Sequence, residues 1–421
     1  MILPAEKSTK NIFLEIFNNH WNEFKSLYPN YDLDYYDDVI MSIMKCSDYE
    51  YGFKQYFCLK CGQDSKIVSF SCKSPFCLTC GRTRGEKYSH KIRSILHPEV
   101  KYRHVVLTIP EQFRWIFYRN RKDFKLFNKF FKAGWKCVQD FVSEALGRSV
   151  DCGCLMVIHT VGRNCKYNPH IHVLIMAGGV DNHSSRWVPL EKFDYKILHQ
   201  SWKKLLLEMF GEFDETNEHV ELIKAVDEKY KKGFVGRIES GYLPKNARHL
   251  IRYISKYFCR PQMSIRRIKN YDRESQSVEI EYRSHRSKKV EKEKIDVLEF
   301  IGRMVQQIMP KGFQNIRYFG LQARKNQERL NFVISRAVGS LNLPENKEER
   351  VCQKAKPLKY RDLIKIWWRK DPLSCRSCNC QMELARIWRP LKGFVFSVFK
   401  KLFGVDVGPP GNLPKFCFQQ E

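Results

Sequence analysis

The chain lacks any uninterrupted apolar run of about 18 residues, the length that a membrane-crossing helix requires, so no membrane partner is expected. Its first residues, MILPAEKSTKNIFLEIF, do not combine a basic start with an unbroken apolar stretch, which argues against a secretory signal. No internal repeat and no long low-complexity stretch occurs, which excludes a repeat array. Acidic residues are the scarce class. Against 74 Lys and Arg stand 46 Asp and Glu, a formal net charge of +28, and the isoelectric point lies near 9.5. An ordinary solvated surface mixes signs more evenly. An excess of this size points to a polyanionic partner, most often nucleic acid.

Cysteine, by contrast, is plentiful at 16 residues. With no export signal they are read in a reducing cytosol, where close pairs suggest metal binding rather than disulfides. The expected location is therefore cytoplasmic, in association with the nucleoid. At 421 residues and 43% hydrophobic content the chain is globular and long enough for two or three domains. Basic residues are spread through RTRGEKYSHKIR, KNARHLIRYISKYFCRPQMSIRRIK and the segment from Lys354 to Lys401. Aromatics are interleaved with them, as in FRWIFYRNRKDFKLFNKFFKAGWK. Cations hold phosphates and aromatic faces stack on unpaired bases, a mixture that suits single strands. Because Phe and Leu recur there at helical spacing, most of Phe124 to Phe141 is read as core, and only the cations as DNA contacts.

Three constellations carry chemistry. The first is Cys58-x-x-Cys61 followed by Cys77-x-x-Cys80, with fifteen residues between the pairs. Each pair can grip one ion from a turn, and four thiolates would complete a tetrahedral structural zinc site. Cys72 is a fifth candidate that can replace one of the four, and Cys375, Cys378 and Cys380 form a weaker C-terminal cluster. The second is YNPHIHVLIMAGG, where His170 and His172 stand one residue apart at the start of an apolar strand. Alternation along a strand places both imidazoles on one face, where neutral nitrogens suit a divalent metal. CLMVIHTVG precedes it across the short turn RNCKYN, so the two strands form an antiparallel hairpin. If Gly162 pairs near Pro169, His159 falls opposite or close to His172, although a one-residue slip turns it away. The third is RHLIRYISKYFCR, in which Tyr253 and Tyr257 share a helix face, with Arg248, Arg252, Lys256 and Arg260 around them to hold phosphate.

The order of these parts resembles the insertion-sequence-91 family of rolling-circle transposases, of the HUH endonuclease superfamily. HTVGRNCKYNPHIHVLIMAGG is similar to that family's metal-histidine stretch, YISKYFCRPQMS to its tyrosine helix, and FIGRMVQQIMPKGFQNIRYFG to a segment that follows it. The resemblance covers about residues 50–325, and it implies a bacterial enzyme that nicks and transfers single-stranded DNA through a 5′-phosphotyrosine on Tyr253 and Tyr257. It further implies magnesium or manganese at His170 and His172, with His159 or His249 as third ligand, hairpin-containing element ends as partner, and no small-molecule substrate. The expected fold is α/β: an antiparallel HUH-type sheet with helices on its outer face, a small N-terminal zinc module and a basic C-terminal tail. The expected divisions are residues 1–100, 101–330 and 331–421. Two rivals are a plasmid replication initiator or relaxase, and a zinc-dependent DNA-binding regulator without catalysis.

Overall fold

A computed structural model describes residues 12–337, apart from 214–215, 235, 240, 260 and 285–286, together with residues 361–362, 365 and 370–403. The chain divides into two compact units, Met1–Tyr28 with Tyr88–Ala355 and Pro29–Lys87 with Lys356–Glu421. No helix among the described residues is long and apolar enough to cross a membrane.

The first unit is built on a five-stranded sheet of β1 (Tyr102–Thr108), β2 (Gly153–Val161), β3 (Tyr167–Met176), β4 (Gly236–Ile238) and β5 (Ile316–Gly320). Their order is β5-β2-β3-β1-β4, antiparallel throughout. The two central strands are apolar on both sides because both faces are covered. Val105, Leu107, Met156, Ile158, Ile171 and Val173 point into one core. Leu155, Val157, Leu174 and Met176 point into the other. This two-sided burial explains why HVLIM reads as a continuous apolar run rather than an alternating one.

On the first face lie two helices, α1 (Phe124–Leu146) and α2 (Tyr195–Gly211). Asp123 caps α1 by accepting from the Lys125 amide at 2.7 Å, and Gly147 ends it in the left-handed region at φ 62°. Most aromatic residues from Phe124 to Phe141 are indeed core: Phe127, Phe130, Phe131 and Phe141 are buried, while Phe124 is exposed. Lys129 stays at the surface and meets Glu212 at 3.1 Å. The second face carries α3 (Ala247–Ile254), which continues as a π-helical turn over Ser255–Cys259. Ile254 and Phe258 sink from it into the second core. The sheet thus has helices on both faces, where the sequence led us to expect them on the outer face. A three-stranded meander, Ile268–Asp272, Ser277–Arg283 and Val290–Asp296, follows and leads into the helix Val297–Val305.

Gly320, at the end of β5, has φ +56°, and a Cβ there would run into the Cys152 carbonyl oxygen and the Trp135 ring. Both the backbone region and the space therefore demand glycine. Gly320→Ala is expected to destabilise this unit by roughly 2 kcal/mol or more, read as a lowered denaturation midpoint. An unchanged midpoint would show that the edge strand shifts freely.

The second unit holds a four-stranded antiparallel sheet in the order Gly393–Ser397, Glu383–Arg389, Phe53–Phe57, Ser65–Ser69. Its central pair joins strands more than 300 residues apart, with Phe57 opposite Glu383. The C-terminal segment, expected as a region of its own, thus shares a sheet with the N-terminal cysteine module. The helix Ile12–Leu27, expected within that module, groups with the first unit.

Candidate active site and metal centres

The register of the central strands decides which side chains meet. His159 lies opposite His170 and Val157 opposite His172, while Thr108 and Val106 of β1 flank the same two histidines on the other side. The strands are two residues removed from the pairing of His159 with His172, so the parity is kept. His159, His170 and His172 therefore project from one face, and one ring nitrogen from each lies within 4.8 Å of the others. His249, the other residue left open as a third ligand, is exposed near the start of α3 and is not among the grouped imidazoles.

Each of the three rings is oriented through Nδ1. His170 Nδ1 donates to the Asn168 carbonyl oxygen at 2.7 Å. His172 Nδ1 meets Nε2 of His104 at 2.8 Å. His159 Nδ1 meets the Gln262 carboxamide at 2.7 Å, and a carboxamide can present either an oxygen or a nitrogen. For His172 this leaves Nε2 to a ligand, while the Gln262 carboxamide also lies 3.4 Å from His159 Nε2; an outer partner that fixes a ring in this way is what a metal-binding imidazole needs. The donor set fits a divalent ion. Burial, followed by the charge of the neighbouring imidazoles, holds His159 and His172 well below the usual histidine range. Both are thus kept in the neutral, lone-pair-bearing form that ligation requires.

Against these rings stands the tyrosine segment. Tyr253 and Tyr257 face the sheet with their ring centroids 4.7 Å apart. The wider π-helical turn, a feature that recurs at functional sites, begins at Ser255, between the two tyrosines, and takes in Tyr257. Tyr253 Oη lies 2.7 Å from His104 Nδ1. Tyr257 is 5.3 Å from the His104 ring and 6.3 Å from the His172 ring, centroid to centroid, and Lys256 Nζ stands 4.7 Å from the centroid of the Tyr257 ring. Burial, and then the Glu239 carboxylate, raise the Tyr253 hydroxyl above its ordinary range. Arg252 and Lys256 are exposed beside the tyrosines. Arg260 and the side chain of Arg248 lie outside the described residues.

His104 and Gln262 went unnoticed in the sequence. His104 sits in YRHVVLTIP, which carries no motif of its own, and only its placement opposite Leu174 on β3 brings it to the histidine face. The signal available was strand parity: as residue 104 of β1 it alternates with the core residues Val105 and Leu107.

The cysteines assemble differently from the expected single site. Cys58 and Cys61 group with Cys375 and Cys378, while Cys77 and Cys80 group with Cys46 and Cys72, each set having its sulfurs within 4.8 Å of one another. Sheet pairing is the reason. Cys58 follows strand Phe53–Phe57, whose neighbour Glu383–Arg389 follows the turn bearing Cys375 and Cys378. The two turns are built alike: Gly62 N donates to Cys58 O at 2.9 Å and Asn379 N to Cys375 O at 3.0 Å, with Gly62 and Asn379 both left-handed. Cys58 and Cys378 sulfurs lie 3.5 Å apart, as do those of Cys61 and Cys375. In the other set the Cys46–Cys80 distance is 3.4 Å and the Cys72–Cys80 distance 3.6 Å. Cys380 belongs to neither set, and its carbonyl oxygen accepts from the Cys375 amide.

Residues 16–109 match the model of a "Transposase zinc-binding domain", that of the insertion-sequence-91 (IS91) proteins, and residues 153–329 match a family described as "Putative transposase". The chain belongs to the insertion-sequence-91 family of transposases. It is 22% identical over 381 residues to the "Transposase for insertion sequence element IS801" of Pseudomonas savastanoi pv. phaseolicola, an alignment spanning 82% of each chain. It is also 22% identical over 357 residues to "Putative transposase y4qJ" of Sinorhizobium fredii, spanning 81% of this chain and 86% of that one. No solved structure matches the chain. In this transposase the zinc-binding match takes in Cys46, Cys58, Cys61, Cys72, Cys77 and Cys80, and the two sets of four thiols are the donor type of structural zinc. Cys375 and Cys378 lie beyond both matched segments.

Proposed function

We propose that this insertion-sequence transposase cuts and rejoins single-stranded DNA at the ends of its element by rolling-circle transfer, using Tyr253 and Tyr257 as nucleophiles. The observation that carries this reading is the packing of two adjacent tyrosines beside His172, one of three imidazoles grouped on one sheet face. A tyrosine oxygen attacks the backbone phosphorus, the bond from phosphorus to the 3′ oxygen breaks, and the 5′ phosphate stays esterified to the protein. A magnesium or manganese ion held by His159, His170 and His172 would neutralise charge on the phosphoryl oxygens. Two tyrosines allow one strand end to be held covalently while the second is cut. Arg252 and Lys256, with Arg248 and Arg260 from the sequence, supply the phosphate contacts. The substrate is hairpin-containing single-stranded DNA in the cytoplasm, at the nucleoid. The three-histidine face favours this reading over a DNA-binding regulator without catalysis, which has no use for it.

The test uses labelled single-stranded oligonucleotides from the element ends, with trapped adducts mapped by mass spectrometry. Tyr253→Phe and Tyr257→Phe are each expected to leave some first-strand nicking and to block completed transfer. Adducts on one tyrosine alone, with full transfer by the other's phenylalanine variant, would reject alternation. The absence of any phosphotyrosine would reject the reading itself.

A further inference from the structure

The two tyrosines are not equivalent. Tyr253 Oη lies 2.7 Å from His104 Nδ1, and His104 Nε2 lies 2.8 Å from His172 Nδ1. Tyr257 packs beside the same rings, but among the described residues its hydroxyl has no such partner. Nor is His104 one of the three grouped imidazoles; it stands behind them, buried at 1% exposure. We propose that His104 is a positioning residue that couples the metal-ligating tautomer of His172 to Tyr253, and thereby makes Tyr253 the tyrosine that attacks first.

The argument is one of donors and acceptors, and it rests on the function proposed above. An imidazole nitrogen that ligates an ion offers its lone pair, so the ring's single proton sits on the other nitrogen. For His172 the free nitrogen is Nε2, so Nδ1 carries the proton and donates to His104 Nε2. His104 must then accept through Nε2 and carry its own proton on Nδ1. That proton points at Tyr253 Oη. The loaded site therefore has Tyr253 oxygen accepting a hydrogen bond, which favours the oxygen when it bears negative charge. Without the ion the chain of bonds can run the other way, with the Tyr253 hydroxyl donating to His104 Nδ1 and His104 Nε2 donating to His172 Nδ1. A single buried ring thus links occupancy of the histidine site to the state of one tyrosine and not the other. The same bond holds the His172 ring in its ligating pose, a role whose loss elsewhere typically costs about 10–100-fold in metal affinity.

Three measurements on the full chain test this. The first needs no variant. In magnesium-loaded protein with ¹⁵N-labelled histidine, the ring-nitrogen shifts of His104 should report a proton on Nδ1, and a proton on Nε2 would overturn the proposal. The second is the manganese dissociation constant. His104→Leu should weaken binding about 10–100-fold, and His104→Gln, whose carboxamide presents one acceptor and one donor, should recover most of it. The third is the partition of first adducts. The wild type should carry them on Tyr253, and His104→Leu should shift them to Tyr257. Wild-type affinity and partition in His104→Leu would refute the coupling, whereas a wild-type chain that binds no manganese, or a His170→Ala chain that binds it normally, would instead refute the metal site on which it depends.

Discussion

His170→Ala and His172→Ala should each lower single-strand cleavage by at least about 10²–10³-fold, the loss seen when one stabiliser of developing charge is removed, while DNA affinity falls little. The two effects separate because they arise in different places. Binding comes from many cations contacting phosphates, and a chain of net charge +28 has these in excess. In the proposed reaction charge stabilisation would come from a single buried spot, where both histidines are about 8% exposed and the His172 ring lies 6.3 Å from that of Tyr257. His159→Ala should behave in the same way, since His159 stands opposite His170 and belongs to the same group. Chelation with EDTA should reproduce the loss in the wild type, and added manganese should restore it. Cleavage that persists under chelation would remove the histidine site from the reaction. A parallel collapse of DNA affinity in the variants would show that they act through folding.

Two zinc ions per chain are expected, where one pair of Cys-x-x-Cys turns would have held one. Cys58→Ser and Cys375→Ser should each remove one ion and leave the other in place, because those residues share a set that joins the N-terminal and C-terminal parts of the chain. Cys46→Ser and Cys77→Ser should remove the second ion instead. Structural zinc contributes on the order of 10–16 kcal/mol of apparent binding free energy in small modules, so each loss should unfold a large part of the second unit and weaken DNA binding. The C-terminal set has a specific consequence. Strand Glu383–Arg389 pairs with Phe53–Phe57 next to its thiols, so Cys375→Ser should expose the C-terminal segment to limited proteolysis just as Cys58→Ser does. The measurement is zinc content by elemental analysis, beside the proteolytic pattern of each variant. A single ion per chain, lost equally in all four variants, would mean that the two thiol sets do not act as separate sites.

Much of this protein could be read without coordinates, because its signals are local. The HIH dipeptide pattern, the tyrosines four apart and the strand spans near 102–110, 154–162 and 170–179 depend on period and on residues close in the chain. Period 2 alone puts His170 and His172 on one side, since successive strand residues alternate. The aromatic stretch from Phe124 was legible as core for the same kind of reason, helical spacing of its apolar residues. Family resemblance rested on these same short segments, and the matches to the two transposase models lie over them.

What needed the tertiary structure was everything set by partners distant in sequence. Whether His159 or His249 completes the group depends on the register of β2 against β3, and a hairpin's register is not written in either strand alone. His104 has no motif, and it matters only because β1 lies beside β3 and α3 packs over both. The cysteines show the principle most plainly. Spacing joined Cys58 and Cys61 to Cys77 and Cys80, which are near in the chain, but the sheet places Phe53–Phe57 between Ser65–Ser69 and Glu383–Arg389. A thiolate pair completes its tetrahedron with whatever pair the backbone hydrogen bonds bring within reach, and here that pair lies more than 300 residues further along the chain.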